Sequence, residues 1–175
     1  VCAMIFDHLL WVIKPGYNNG TTYLILHTFG RIVAPIFCFF IAEGAYYTHS
    51  RKKYLLRLLI FAIISHFAYC FAFGINFIPF STGTFFNQTS IMWSLALGLI
   101  GIIIQDSDIK NIWKTIITLL LCVLGFPSDW SSVAVMIVIY NYVYRNNFKK
   151  QMLIQTVFSG IYSLVYCLFI DIRYG

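Results

Sequence analysis

Six ionisable side chains stand inside otherwise apolar stretches of this chain: Asp7, His8, His27, Arg31, Glu43 and His66. An ionisable group in hydrocarbon costs at least about 2.5–3.5 kcal/mol, so it persists where it is paired or faces a wet cavity. A histidine in a low-dielectric cavity can accept a proton near neutral pH, which suits general-base work. An arginine beside it can stabilise a developing oxyanion. Four cations follow at Arg51, Lys52, Lys53 and Arg57. They could hold a phosphate-bearing molecule, and a membrane-orientation signal explains them equally well.

Depth sorts these groups. Asp7 and His8 are adjacent, so on a helix they point about 100° apart. Asp7 stands about 9 Å from the helix end at Ile13, and Arg31 about 12 Å beyond Tyr23, at 1.5 Å per residue. The turn Lys14-Pro15-Gly16 with Asn18-Asn19-Gly20 makes the two segments antiparallel. An Asp7–Arg31 ion pair across them is geometrically reasonable and leaves His8 for chemistry; a buried polar clamp is the alternative. Pro35 removes the hydrogen bond to the carbonyl of Arg31. Gly30 and Pro35 therefore bracket a weak, kinkable stretch, with His27 one turn earlier on the same face. A packing kink without a cavity is the plainer reading. Glu43 lies about 18 Å further along the helix, and either lines an inner mouth or snorkels. His66 follows Ser65 midway along the next segment, where a packing role competes with a functional one.

The elements that must carry these groups follow from composition. Hydrophobic residues make up 60% of the 175, and charged residues 10%. A soluble domain carries roughly 25% charged residues. Mean hydropathy is +0.80. A soluble enzyme, a disordered chain and a nucleic-acid-binding domain all fit poorly; the reading is a single integral membrane domain over residues 1–175. Cys2, Cys38, Cys70, Cys122 and Cys167 are widely separated in apolar segments, unlike the close pairs of zinc sites. Neither a metal site nor a disulfide framework is expected.

A spanning helix needs roughly 20 apolar residues. The expected fold is all-α, a polytopic transmembrane helix bundle of about seven spans. The first, Val1–Ile13, is cut short, and the chain opens on Val rather than Met, so an N-terminal piece is expected to be missing. The others run about Tyr23–Tyr47, Tyr54–Ile75, Thr89–Gln105, Ile112–Phe126, Ser131–Tyr144 and Gln151–Ile170. The fifth and sixth are short, and either barely span or form a re-entrant hairpin around Pro127-Ser128-Asp129-Trp130. Nine cations then share one side: Arg51, Lys52, Lys53, Arg57, Lys110, Lys114, Arg145, Lys149 and Lys150. The other side holds Lys14 and Arg173. The positive-inside rule puts the nine in the cytoplasm, with the N-terminus cytoplasmic and the C-terminus outside. Together the groups suggest a polar track from Asp7, His8 and Arg31 toward Glu43 and the basic run.

Several stretches resemble the TraX family. They are Gly30-Arg31-Ile32-Val33-Ala34-Pro35 followed by Glu43-Gly44, and Ser50-Arg51-Lys52-Lys53-Tyr54-Leu55-Leu56-Arg57 leading into Ile64-Ser65. The Asp7-His8 pair fits as well, and Asp129-Trp130 is similar to the family's Asp-Tyr turn. The resemblance implies a multi-pass protein of the bacterial cytoplasmic (inner) membrane. It implies acetyl transfer from cytoplasmic acetyl-CoA to an amine or hydroxyl, with a pilin N-terminus or another envelope acceptor as substrate. By this resemblance His8, Asp7 and Arg31 are catalytic. Glu43, Arg51, Lys52, Lys53, Arg57, Ser65 and His66 bind donor or substrate. The lipid bilayer, acetyl-CoA and a pilin are the implied partners, with no metal and no nucleic acid. The chain departs from the family where His66, Ala68 and Cys70 replace Glu, Pro and Asp, and where Ser90 replaces Asn. Those losses keep open a non-catalytic component of a conjugation or secretion apparatus. A small-molecule transporter is a third reading, against which stands the lack of a second broken helix.

Overall fold

The computed structural model describes Leu9, residues 30–78 and residues 87–174, with backbone alone beyond residue 165. These residues form six helices and no strand: α1 (Val33–Tyr47), α2 (Arg51–Phe73), α3 (Ile91–Gln105), α4 (Asn111–Gly125), α5 (Ser131–Val143) and α6 (Phe148–Tyr174). Each falls on a segment expected from the apolar pattern. Among the described residues only α2 is both long enough and apolar enough to cross a membrane by length and composition.

Local chemistry sets the boundaries. The helical turn at Gly30 and Arg31 leads into α1 through Ile32, whose backbone stays helical at φ −62°, ψ −23°. Pro35 then sits in the first turn of α1, where its missing N–H would have no partner in any case. Ser50 caps α2 by accepting from the Lys53 N–H at 3.4 Å. Gly74, at φ +63°, ends α2 in the left-handed region, and the Ile75 N–H donates to the Cys70 carbonyl at 2.9 Å. Glycine adopts that conformation without a Cβ clash. Asn147 opens α6, its side-chain oxygen accepting from Lys150 N–H at 3.1 Å.

α3 is the central helix, packed against α1, α2, α4 and α5. Its small residues explain how. A Cβ on Gly98 would lie 2.7 Å from Val138 Cβ of α5, and one on Gly101 would strike the end of the Ile139 side chain. Close backbone approach through small residues is how helices associate where the hydrophobic effect cannot drive them together. Leu95, Leu99, Ile102, Ile137 and Val138 fill the middle. α1 lays Ala34, Cys38, Ile41, Ala42 and Ala45 on this core, with the Cys38 thiol 3.8 Å from the Ala134 carbonyl of α5.

α4 and α5 each run the full height of α3. Near one end Lys114 Nζ donates to the Gln105 carbonyl at 2.6 Å; near the other Ser94 Oγ donates to the Gly125 carbonyl at 3.3 Å. α4 is thus antiparallel to α3, while α5 runs parallel to it, with Ser131 beside Ser94 and Tyr142 beside Asp106. The outer faces of α2, α4 and α6 expose large apolar side chains, among them Phe61, Phe71, Ile112, Leu119, Leu153 and Leu164.

Candidate functional site

Three turns meet at one end of the bundle: 48–50, 106–110 and 144–147. Arg51, the first residue of α2, donates from Nη1 to Asp106 Oδ2 at 2.6 Å and from Nη2 to Tyr142 Oη at 2.6 Å. Tyr142 Oη donates to the same Asp106 oxygen at 2.5 Å, and Arg51 Nε donates to the Ala45 carbonyl at 3.1 Å. One guanidinium thus joins α1, α2, α3 and α5, using the fixed fork of donors that lysine lacks. Beside it, Arg145 Nη2 lies 3.8 Å from Glu43 Oε2. The Arg145 guanidinium stacks on Tyr46 and lies 5.6 Å from the Tyr47 ring centroid. Burial pulls the pKa of Arg145 down. The hydrogen bond and field of Tyr46, with the fields of Glu43 and Tyr47, more than offset that and leave it raised. Gly44 has a packing reason to follow Glu43: a Cβ there would stand 2.9 Å from Tyr54 Oη.

Lys52, Lys53 and Arg57 are exposed at this end, and Lys149 and Lys150 begin α6 there. Lys150 Nζ lies 5.3 Å from the Tyr144 ring centroid. Immediately inside is a group of carboxamides. Gln151 Nε2 donates to the Asn141 carbonyl at 2.8 Å, and Gln155 Nε2 donates to Asn141 Oδ1 at 3.0 Å. Asn141 is fully buried.

The opposite end joins the residues around 87–90 to the 126–130 turn. Gln88 N–H donates to the Pro127 carbonyl at 2.7 Å and Asp129 N–H to the Thr89 carbonyl at 2.8 Å. His66 holds α2 to this seam. A carbonyl only accepts, so the contact from Nε2 to the Phe77 carbonyl at 2.9 Å places the proton on Nε2 in the neutral ring. Nδ1 then accepts from Thr89 Oγ1 at 3.0 Å. Cys70 Sγ packs 3.7 Å from His66 Nε2, and Ser65 Oγ donates to Ser90 Oγ at 2.7 Å. Trp130 adopts φ +65° and Ser131 φ +48°, two successive left-handed residues without glycine's freedom. Such conformations cost of order 1–3 kcal/mol each and persist where the surroundings over-determine them. Trp130 is over-determined: its ring stacks on Tyr162 at 4.8 Å between centroids, and its backbone N–H donates to Tyr162 Oη at 3.2 Å. The Arg31 guanidinium lies 5.8 Å from the same Tyr162 ring centroid.

The sequence-selected residues therefore divide into two groups. Arg31, Ser65 and His66 belong to the seam at the 87–90 end; Glu43, Arg51, Lys52 and Lys53 belong to the end where the basic turns meet, with Arg57 a little under two turns along α2. Asp7 and His8 lie outside the described residues, as does His27. The polar track drawn from Arg31 to Glu43 does not run along α1, whose buried face between them is Ala34, Pro35, Cys38, Ile41 and Ala42. The residues that sequence reasoning missed are the partners: Asp106, Tyr142, Arg145 and Tyr162. A signal existed for Asp106, which with Asp108 is acidic in a region otherwise rich in cations. Nothing local marked Tyr142 or Tyr162 among the twelve tyrosines. No group of three or more metal-ligating side chains occurs among the described residues.

Comparison with known proteins places the whole chain in context. Residues 1–173 match the family described as TraX protein. Over 133 residues the chain is 30% identical to a protein of Dichelobacter nodosus named as a probable fimbrial assembly protein, FimC of serogroup H1. The match covers 74% of this chain and 53% of the relative, so the chain spans about half the length of the curated relative it matches. No solved structure matches it.

Proposed function

The chain belongs to the TraX family, and on that premise we propose that it is a multi-span membrane acetyltransferase of pilus or fimbria assembly. In this reading it is a bundle of about seven spans in a bacterial inner membrane. Its basic turns face the cytoplasm and its C-terminus lies outside. Acetyl-CoA enters from the cytoplasmic side, and the acceptor is an amine or hydroxyl of a pilin or another envelope molecule. His8 takes the acceptor's proton as the acceptor attacks the thioester carbonyl. The new amide or ester bond forms, the C–S bond breaks, and CoA leaves as the thiol. Arg31 stabilises the oxyanion, and Asp7 orients the pair.

One observation carries this reading: the three basic turns converge at one end, and their cations are unequally occupied. Arg51 is tied to Asp106 and Tyr142, and Arg145 to Glu43 and Tyr46. Lys52, Lys53 and Arg57 remain exposed, available to the phosphates of a nucleotide-bearing donor. The family relative named for fimbrial assembly supports the pilus context. The many large apolar side chains exposed on α2, α4 and α6 support burial in lipid.

The test is acetyl-CoA binding to the full-length protein in nanodiscs, with acetyl transfer to a pilin N-terminal peptide followed by mass spectrometry. Micromolar binding that weakens in Lys53→Ala/Arg57→Ala, and transfer lost in His8→Ala, are the expected results. Absence of binding at millimolar acetyl-CoA overturns the enzyme reading. A non-catalytic assembly component then takes its place. That second reading is favoured by His66, which stands where the family has a carboxylate and is engaged in holding the seam at the 87–90 end.

A further inference from the structure

α6 carries polar residues at Gln151, Gln155, Ser159 and Tyr162, a spacing of four, four and three that keeps them on one helix face. That face points inward: Gln151 is buried, and the neighbouring Phe158 and Tyr162 pack on the central core. The opposite face, with Leu153, Val157, Ile161 and Leu164, is exposed and apolar. A polar stripe on the buried side of an apolar helix is costly unless its groups are satisfied.

Part of the stripe is satisfied and part is not. Gln151 and Gln155 donate to Asn141 of α5. Two buried atoms along the stripe find no hydrogen-bond partner among the described residues: Asn141 Nδ2 and Ser159 Oγ. The amide nitrogen can only donate and the hydroxyl can, so both are suited to oxygen acceptors. Buried donors left unpaired cost about 1–3 kcal/mol each, which is a reason to look for what pairs with them. The stripe begins beside the cations Arg145, Lys149 and Lys150. It ends at Tyr162, whose ring lies under Arg31. From Gln151 to Tyr162 the rise is about 16 Å. It thus joins the two ends of the bundle that the buried face of α1 does not.

We propose that this stripe, Gln151, Gln155, Ser159 and Tyr162 with Asn141 of the adjoining α5, binds the phosphopantetheine arm of an acyl-CoA. The assignment rests on the acetyltransferase reading above and extends it to the path of the donor. The chemistry matches in order. Phosphates at one end of the donor meet the cations. The two amide groups of the arm meet the carboxamides and Ser159, and their carbonyls supply the acceptors that Asn141 Nδ2 and Ser159 Oγ await. The thioester arrives beside Tyr162 and Arg31, in the half of the protein where Arg31 is assigned to the oxyanion.

The experiment titrates full-length protein in nanodiscs with three probes: CoA, 4′-phosphopantetheine, and adenosine 3′,5′-bisphosphate, which lacks the arm. Gln155→Met keeps side-chain length and removes the amide; Ser159→Ala removes the hydroxyl from a partly exposed position. Both variants are first checked for an unchanged melting temperature. In each, CoA and 4′-phosphopantetheine affinity is expected to fall about tenfold, the worth of one hydrogen bond, while adenosine 3′,5′-bisphosphate binding is unchanged. Wild-type CoA binding that neither variant weakens overturns the arm site and leaves the enzyme reading standing. Equal loss for all three probes also overturns it, because the effect is then not on the arm. No binding of CoA by wild type overturns both.

Discussion

Gly98 and Gly101 look interchangeable in the sequence, yet their replacement by alanine should give unlike results. Each change brings about 1 kcal/mol of helix propensity in its favour. Against this stands what the new Cβ meets. At Gly98 it would lie 2.7 Å from Val138 Cβ and 2.8 Å from Val138 Cγ1. A Cβ cannot rotate away, so relief requires α3 and α5 to separate by about 1 Å to reach ordinary carbon–carbon contact. Overpacking of that kind costs about 1–3 kcal/mol, and more where backbone must move. At Gly101 the new Cβ meets the Cδ1 and Cγ1 atoms of Ile139, which a rotamer change can withdraw. Gly98→Ala should therefore destabilise by about 1–2 kcal/mol net, and Gly101→Ala should fall within about 0.5 kcal/mol of wild type. The assay is equilibrium unfolding of purified protein in mixed micelles, followed by circular dichroism. A cycle pairing Gly98→Ala with Val138→Gly should show favourable coupling of about 1 kcal/mol, because the second change removes the obstructing Cβ. Gly98→Ala as stable as Gly101→Ala, with no coupling to Val138, would refute the close α3–α5 packing.

The remaining predictions concern both ends of the bundle. Asp106→Asn leaves the Arg51 and Tyr142 contacts with a weaker acceptor; because both charged side chains are partly exposed, the loss should be about 1 kcal/mol, read by the same unfolding assay. Thiols introduced at Lys52, Asp108 and Asn146 should react with a membrane-impermeant maleimide from one side of sealed vesicles and a thiol at Asn76 from the other; labelling of all four from one side contradicts the antiparallel order. His66→Ala removes the contacts to Thr89 and to the Phe77 carbonyl, so amide exchange at residues 74–78 should accelerate several-fold while exchange in α3 is unchanged. Trp130→Gly relieves the left-handed strain but deletes the stack on Tyr162; since a large buried aromatic is worth about 3–5 kcal/mol against truncation, the melting temperature should fall.

Element positions were legible from composition because an apolar run of helix length has few alternatives once water is excluded. α3 and α5 stood where the pattern put them, as did the turn at Asp129-Trp130. The start of α1 was also legible, since Pro35 fits a first helical turn whatever surrounds it. Charge bias grouped the cations on one side, and the tertiary contacts bring their turns to one end. Tertiary structure decided which cations are occupied. Arg51 and Lys52 are neighbours, but the fork of Arg51 reaches Asp106 and Tyr142 across fifty-five and ninety-one positions of chain, a pairing that no local spacing encodes. It likewise decided that α1 buries an apolar face while α6 turns a polar stripe inward. Periodicity shows that Gln151, Gln155, Ser159 and Tyr162 share a face; only packing against Asn141 and Arg31 determines that the face is turned inward. Burial is a property of the neighbours a helix acquires, and the sequence of one helix does not contain them.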